Sequence, residues 1–418
     1  MVRAMGDDHA IFNLHFLYNI ADIMFDRAIL HMDLDSFFVS VECLKNSSFA
    51  GKPLLIGGYG SRGVVASCSY EARRFGVHSA MPMKMALRLC PQAIVLRGDM
   101  DSYTQYSRLV TDIIAEDAPV FEKSSVDEFF LDLTGMDRYF GCYKWSLALR
   151  ERIKKETGLP ISFGLSVNKL VSKVGTGEAK PNGTREIIRG TEKGFLAPLS
   201  IQKIPGVGKE TYKKLSFMGV RTVKVLSEIP QKLLIREFGE HGKQLSEKAN
   251  AIDITPVIPY AERKSMSKEQ TFSEDTLDLN RIKSLLTDMT DKLAFELRNA
   301  QRLTSCVTVK IRYADFNTYT KQRRIAYTAN DNLLNRHVAE LFDSLYEKRQ
   351  LIRLIGVKFS GLVQGYYQIS LFDDTVEQIR LIQQMDHIRK RWGANAIGRA
   401  ASIGLSSPPA HIFIDRSV

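Results

Sequence analysis

The sequence predicts a multidomain protein of the mixed α/β (α+β) class. Three observations lead there. A chain of 418 residues suggests two to four domains. Apolar, β-branched runs repeatedly pass straight into helix-like stretches in its first half. In the last third, two long helical stripes lie among four strand-like runs, the pattern of a sheet carrying helices on one face.

The first element is Ile29-Leu30-His31-Met32-Asp33, an apolar strand ending on an acid and leading into a helix-like stretch from Ser36 to Leu44. Asp33 therefore sits at a strand's C-terminal edge, where ligands commonly bind. Asp35 points to the opposite face if the strand continues, and reads as a helix-start or hydrogen-bonding residue rather than a ligand. A second strand, Gly63 to Ser69, runs into a short helical segment that puts Tyr70 and Arg73 on one face at i and i+3. Arg73 can grip phosphate oxygens bidentately and Tyr70 can donate one more hydrogen bond. In isolation the same pair would be a solvated helix face.

Val126-Asp127-Glu128 falls in a tight hairpin between the apolar runs around Val120 and Phe129–Leu133. Taken singly, each acid is an ordinary turn residue. Brought together with Asp33 in a low-dielectric cleft, three carboxylates repel one another unless hard cations such as Mg²⁺ neutralise them. Two divalent cations held this way are the equipment of nucleotidyl transfer: one activates an attacking hydroxyl and the other holds the leaving phosphates. Lys169, Lys173 and Lys180, spread over a strand–helix–turn from Ser166 to Gly183, add point charges suited to phosphates.

The segments HMDLDSFF, SYEARRFGV, SVDE, LSVNKLVSKV and AKPNG occur in the order and approximate spacing of the Y-family translesion DNA polymerases. From about Ala28 to Phe372 the chain resembles that family, its bacterial members most closely. The resemblance implies a palm whose sheet carries the acids, with Asp33, Asp127 and Glu128 binding two Mg²⁺ (Mn²⁺ as a substitute) and the Leu34 carbonyl adding a ligand. It implies that Tyr70, Arg73 and Lys180 hold the incoming dNTP, and that Phe38 is the steric gate against a ribose 2′-hydroxyl. Neighbouring Phe37 faces another direction on the helix and reads as core. Ser36 departs from the pattern, standing where some relatives carry an aromatic residue. The implied reaction is error-prone, template-directed extension of a primer 3′ end without a proofreading exonuclease. A short fingers segment, about residues 52–93, would enclose the nascent pair loosely.

The implied domains are an N-terminal extension (1–27), palm and fingers (28–195), thumb (196–255), linker (256–263), little finger (264–367) and tail (368–418). In the thumb, Ile204-Pro205-Gly206-Val207-Gly208, followed by Leu215 and Gly219, reads as a helix-hairpin-helix. Gly206 and Gly208 would let backbone amides approach a DNA phosphate. In the little finger, Ile282, Leu285, Leu286, Met289, Leu293 and Leu297 form one helical stripe, and Leu334, Val338, Leu341, Phe342 and Leu345 another. Val307, Val309 and Ile311 alternate with Thr308, Lys310 and Arg312, which leaves Lys310 and Arg312 free to follow a phosphate backbone. Gln368-Ile369-Ser370-Leu371-Phe372 looks like a peptide that docks on a β-type sliding clamp through Gln368, Leu371 and Phe372. The later residues Ile379, Ile382, Met385, Ile388 and Trp392 are spaced like a packed or partner-binding helix.

A formal net charge of +11 favours a polyanionic partner. Primer–template DNA, dNTPs and a sliding clamp are the expected partners, to a monomer. The five cysteines show neither metal-ligand spacing nor a disulfide framework, which predicts reduced thiols and a cytoplasmic (bacterial) protein. Polar interruptions at Asn13, His15, Asn19 and Asp22 speak against a signal peptide or membrane anchor in the first 27 residues. Two other classes fit parts of the pattern. A nucleotide cyclase would account for acids on a palm-like sheet but not for the helix-hairpin-helix or the clamp-like peptide. A non-catalytic clamp partner that binds DNA would leave the acids and the Tyr70, Arg73, Lys180 set idle.

Overall fold

The computed structural model describes residues 27–400 other than 61, 137–140, 260–261, 348, 366–375 and 394. The chain divides into two compact units between Ala261 and Glu262, inside the predicted linker. Strands of the first unit are β1 (Ile29–Leu34), β2 (Leu54–Gly57), β3 (Val65–Cys68), β4 (Ile94–Leu96), β5 (Phe121–Lys123), β6 (Glu128–Asp132), β7 (Ile161–Ser166) and β8 (Thr184–Glu186). They form a five-stranded sheet in the order β5-β6-β1-β7-β8 and a three-stranded sheet in the order β3-β2-β4.

β1 lies at the centre of the larger sheet, antiparallel to both β6 and β7. Strand periodicity sends Leu30, Met32 and Leu34 to one face, where they join Val110, Ile113 and Ile114 of helix Met100–Asp117 and Leu149 and Ile153 of helix Cys142–Thr157. Ile29, His31 and Asp33 take the other face, against helix Lys169–Ala179. There Ser172 donates to the Ile29 carbonyl (2.6 Å) and Thr176 to the His31 carbonyl (3.0 Å). Asn168 caps that helix by accepting from the Val171 amide (2.9 Å), and the Asp253 carboxylate accepts from Leu170 N (2.9 Å).

The helix can lie this close because Gly164 on β7 has no side chain. A Cβ there would stand 2.3 Å from Ser172 O and 2.6 Å from Thr176 N, both backbone atoms. The smaller sheet has its own core, in which Leu55, Val65 and Cys68 pack on Ala72, Val77, Met83 and Ala86. Helices Lys209–Phe217, Val223–Glu228, Gln231–Phe238 and Glu240–Ala249 follow. Their apolar residues share one cluster with Leu170, Val171 and Val174 of helix Lys169–Ala179. The start of the predicted linker is tied down rather than free: Val257 packs with Ile29 and Phe130, and the Ile258 amide donates to Glu122 (2.8 Å).

The second unit is a four-stranded antiparallel sheet made from β9 (Ser265–Thr276), β10 (Arg302–Tyr313), β11 (Thr318–Thr328) and β12 (Ile352–Gln364), in the order β11-β10-β12-β9. Helices Leu279–Asn299 and Asp331–Leu345 cover one face, and the predicted stripes are what they bury, with Leu345 only partly covered. Val307, Val309 and Ile311 point into that core while Thr308, Lys310 and Arg312 are partly exposed on the other side. A further helix, Val376–Trp392, packs on the unit less through its apolar stripe than through charge. Ile382 and Arg389 are buried, Arg298 donates to Asp386 (2.6 and 2.9 Å), and Trp392 is 70% exposed.

Gly164→Ala is expected to destabilise the first unit by about 1–3 kcal/mol, because neither backbone atom it would strike can yield alone. Chemical denaturation of the variant against the parent measures this; an unchanged midpoint would show that the helix can move off the sheet without loss.

Candidate active site

Asp33 and Glu128 are direct partners in the β1–β6 ladder. The Leu34 amide donates to the Asp127 carbonyl (3.0 Å), which closes the hairpin over the end of β1. One backbone register thus brings Asp33, Leu34, Asp127 and Glu128 to one edge of the sheet. Each of the three acid side chains has a partner of its own. Lys180 is hydrogen-bonded to Asp33, Lys173 bonds both Glu128 oxygens (2.7 and 2.6 Å), and Ser125 Oγ donates to Asp127. Among the described residues, no three His, Cys, Asp or Glu side chains are gathered as a finished ligand set.

Burial pushes the Asp33 carboxyl up to about 7; Lys180 pulls the other way, and Glu128 and Asp127 add to the rise. His31 lies one pleat behind on the same face, fully buried, with Nδ1 2.8 Å from Thr176 Oγ1 and Nε2 4.0 Å from Glu128 Oε1. Burial, and then the ammonium groups of Lys173, Lys180 and Lys169, hold His31 well below the ordinary histidine value. Lys169 itself is spent on Glu122, at 2.8 Å to both oxygens.

Tyr70 and Arg73 occupy the single-turn helix Tyr70–Arg73, started by Ser69 accepting from the Ala72 amide (3.2 Å). The Arg73 guanidinium lies 4.6 Å over the Tyr70 ring, confirming the shared face. Tyr70 donates its hydroxyl to Asp35 Oδ1 (3.2 Å), and Lys180 Nζ is 4.0 Å from the same oxygen. Burial and, next, the Asp35 carboxyl raise the Tyr70 hydroxyl far above the usual phenol range, so it is a hydrogen-bond donor throughout the physiological range.

Phe37 is core at 2% exposure, as its helical direction predicts. Phe38 is partly buried and stacks face to face on Tyr103, with ring centroids 4.2 Å apart and planes 10° from parallel. Tyr103 is anchored by its hydroxyl to Glu42 (2.7 Å). The sequence reading missed Tyr103, because its spacing in helix Met100–Asp117 marks only a core residue, and it missed Lys173 as the partner of Glu128.

Elsewhere in the first unit, Gly206 has φ +100°, a conformation that favours glycine, while Gly208 begins helix Lys209–Phe217 in open space. In the second unit, Lys310 reaches across Gly356 of β12 to Glu269, and Arg312 Nε donates to Thr318 (2.8 Å). Gln368, Leu371 and Phe372 lie outside the described residues. The five cysteines are thiols outside any disulfide, and no helix among the described residues is long and apolar enough to cross a membrane.

Comparison with known proteins places the chain in a family. Residues 32–177 match the model of the impB/mucB/samB family and residues 263–371 that of its C-terminal domain. The DNA polymerase IV of Dehalococcoides mccartyi is 36% identical over 375 residues, 89% of this chain and 96% of the relative. That of Streptococcus pneumoniae serotype 2 is 37% identical over 343 residues, 80% and 97%. Among solved structures, a Y-family DNA polymerase chimera of Dbh and Dpo4 superposes with a TM-score of 0.70 at 24% identity, covering 80% of this chain and 99% of the other. DinB from Sulfolobus solfataricus does so with a TM-score of 0.58 at 24% identity, covering 81% and 99%. The chain belongs to the impB/mucB/samB family of Y-family DNA polymerases and is a DNA-directed DNA polymerase of translesion synthesis. Within that family it is similar to bacterial DNA polymerase IV over most of its length.

The raised Asp33 carboxyl has a signed consequence. A folded-state value near 7 against an ordinary 3.8 means that the folded chain keeps a proton the unfolded chain releases. Stability from this group is complete below the ordinary carboxyl value and is lost as pH rises towards 7. Asp33→Asn should therefore melt at a higher temperature than the parent at about pH 8 in metal-free buffer, with the gain disappearing near about pH 4. Parallel melting curves that never diverge would mean that Asp33 is not so perturbed.

Proposed function

We propose that the chain extends a primer 3′ end on template DNA by two-metal nucleotidyl transfer at Asp33, Asp127 and Glu128. The observation that carries this is the β1–β6 register, which opposes two acids and adds a third at the hairpin. The donor set is all hard oxygen, and the Asp33 carboxyl, raised chiefly by burial and further by Glu128 and Asp127, sits where a cation would favour its charged form, so the residues fit divalent cations. Asp33, Asp127, Glu128 and the Leu34 carbonyl would hold two Mg²⁺, or Mn²⁺ in their place. Bound there, the ions would supply an activated primer hydroxyl and charge neutralisation at the leaving phosphates.

This chain's own side chains supply the rest. Tyr70, Arg73 and Lys180 offer a hydroxyl donor, a planar guanidinium and a point cation for a triphosphate, which suits the incoming dNTP. Phe38, braced by Tyr103, is a rigid ring suited to exclude a ribose 2′-hydroxyl. The amides beside Gly206 and Gly208 and the exposed faces of Lys310 and Arg312 suit the phosphates of primer–template DNA. One solved neighbour of 25% identity, covering 80% of this chain with a TM-score of 0.60, is titled the insertion ternary complex of Dbh DNA polymerase, in keeping with a template and nucleotide at such a site. Palm, fingers, thumb and little finger at the predicted boundaries, no proofreading exonuclease, and a tail peptide at Gln368, Leu371 and Phe372 for a β-type sliding clamp complete the reading.

Primer extension tests it. Asp33→Ala, Asp127→Ala and Glu128→Ala should each abolish extension in Mg²⁺ while primer–template binding stays near normal. Near-normal extension by a folded Asp127→Ala variant would remove the hairpin acids from the reaction. Phe38→Ala should admit ribonucleotides, read from single-nucleotide kinetics with matched dNTP and rNTP; unchanged sugar discrimination in an active variant would place the gate elsewhere. Neutralising Lys310 and Arg312 together should make the salt dependence of DNA binding shallower, by roughly 0.9 per lost phosphate contact. An unaltered slope would mean that this face does not follow the backbone.

A further inference from the structure

Asp35 is 2% exposed and lies beside the acids without being one of them. Its carboxyl joins three segments far apart in the chain. Oδ1 accepts from the Tyr70 hydroxyl (3.2 Å) and lies 4.0 Å from Lys180 Nζ. Oδ2 accepts from the Ser162 hydroxyl (2.8 Å) and from the Asn182 amide (2.7 Å). Ser162 on β7 accepts in turn from the Gly183 amide (3.1 Å), so one hydroxyl and one carboxyl hold both amides after Pro181. Arg150 fastens the same loop from below, donating to the Asn182 carbonyl (2.8 Å) and side chain (2.7 Å), and to the Ile161 carbonyl (2.9 Å). Asn182 is held at φ +48°, an uncommon conformation outside glycine, and these bonds account for it.

The convergence matters because of what hangs from it. Tyr70 belongs to the short helix after β3, and Lys180 to the turn after helix Lys169–Ala179; the Asp35 carboxyl accepts from the first and lies 4.0 Å from the ammonium of the second. Neither element is rigid by itself, one being a single turn and the other a loop. We propose that Asp35 is a positioning residue for the nucleotide: it sets the distance between the Tyr70 hydroxyl and the Lys180 ammonium before the triphosphate arrives. The inference rests on the reading of Tyr70 and Lys180 as triphosphate contacts, and extends it to a residue that contacts no substrate. Preorganised donors bind without the ordering that a slack pair would need, so the loss of Asp35 should appear chiefly in nucleotide affinity.

The test is steady-state single-nucleotide insertion, with KM for dNTP and kcat measured for Asp35→Ala, Tyr70→Phe, Lys180→Ala and the Asp35→Ala/Tyr70→Phe double variant. Primer–template affinity and a melting curve are measured for each. Asp35→Ala is expected to raise KM by about tenfold or more, with a smaller change in kcat and an unaltered DNA affinity. In the Tyr70→Phe background the same substitution should raise KM less, because the Tyr70 link is already gone and only the support of the Lys180 loop remains to be lost. Equal KM increases in both backgrounds, or a loss confined to kcat, would overturn the positioning role. If Tyr70→Phe and Lys180→Ala both leave KM unchanged, the fault lies with the triphosphate reading itself. Should Asp35→Ala fail to fold, Ser162→Ala provides the same comparison: it removes one support of Oδ2 and the Gly183 contact, and is expected to raise KM in the same direction by a smaller factor. An unchanged KM in folded Ser162→Ala would then count against the proposal.

Discussion

The organisation of the first unit follows from the pairing of β1 with β6. That register sets Asp33 directly opposite Glu128 at the end of the central strand, with Asp127 at the adjoining turn. Acids so placed repel each other, and burial makes the repulsion worse. Much of the surrounding structure compensates. Helix Lys169–Ala179 and the turn after it bring Lys173 to Glu128 and Lys180 to Asp33, so each opposed acid has an ammonium partner. The helix reaches the sheet only because Gly164 leaves it room. A steric feature of β7 and an electrostatic need of β1 and β6 are thereby joined in one packing contact.

The same edge shows how a loosely built region can still be precise. The triphosphate candidates lie on a one-turn helix and a loop, elements with little stability of their own. Their geometry comes from a buried acceptor, Asp35, and from Arg150 beneath it. The Phe38 ring is handled similarly, fixed by stacking on a tyrosine whose hydroxyl is tied to Glu42. In each case a polar anchor in the core does what local secondary structure does not.

The second unit follows a simpler rule. Alternation along β10 separates a packed face from a polar one, and two amphipathic helices cover the packed side. Gly356 adds a detail, since its missing side chain lets Lys310 reach Glu269 over the middle strand. Lys310 thus comes to any phosphate already paired, and Arg312 is the less encumbered cation. The helix Val376–Trp392 is fastened by Arg298, Asp331, Asp386 and Arg389, largely buried charges in mutual contact. Such a group holds geometry more than it adds stability.

Much of this was legible in the residues alone. Strand and helix periods are local, so the run ending at Asp33, the Tyr70 and Arg73 pair, and both stripes of the second unit could be read from spacing, and each is where the period put it. The resemblance of five short segments to Y-family polymerases identified the family and pointed to the acids and to the candidate triphosphate contacts. What the sequence did not disclose was pairing across distance. Asp35 read as a helix-start or hydrogen-bonding residue, but which groups it bonds was not legible: only folding brings Tyr70, Ser162 and Asn182 to its two oxygens. Tyr103 was not singled out and Lys173 read as a charge for phosphates; their partners, Phe38 and Glu128, lie far away in the chain. Side-chain periodicity records which way a residue points, whereas the identity of what it meets there depends on register and packing, which only the tertiary structure decides.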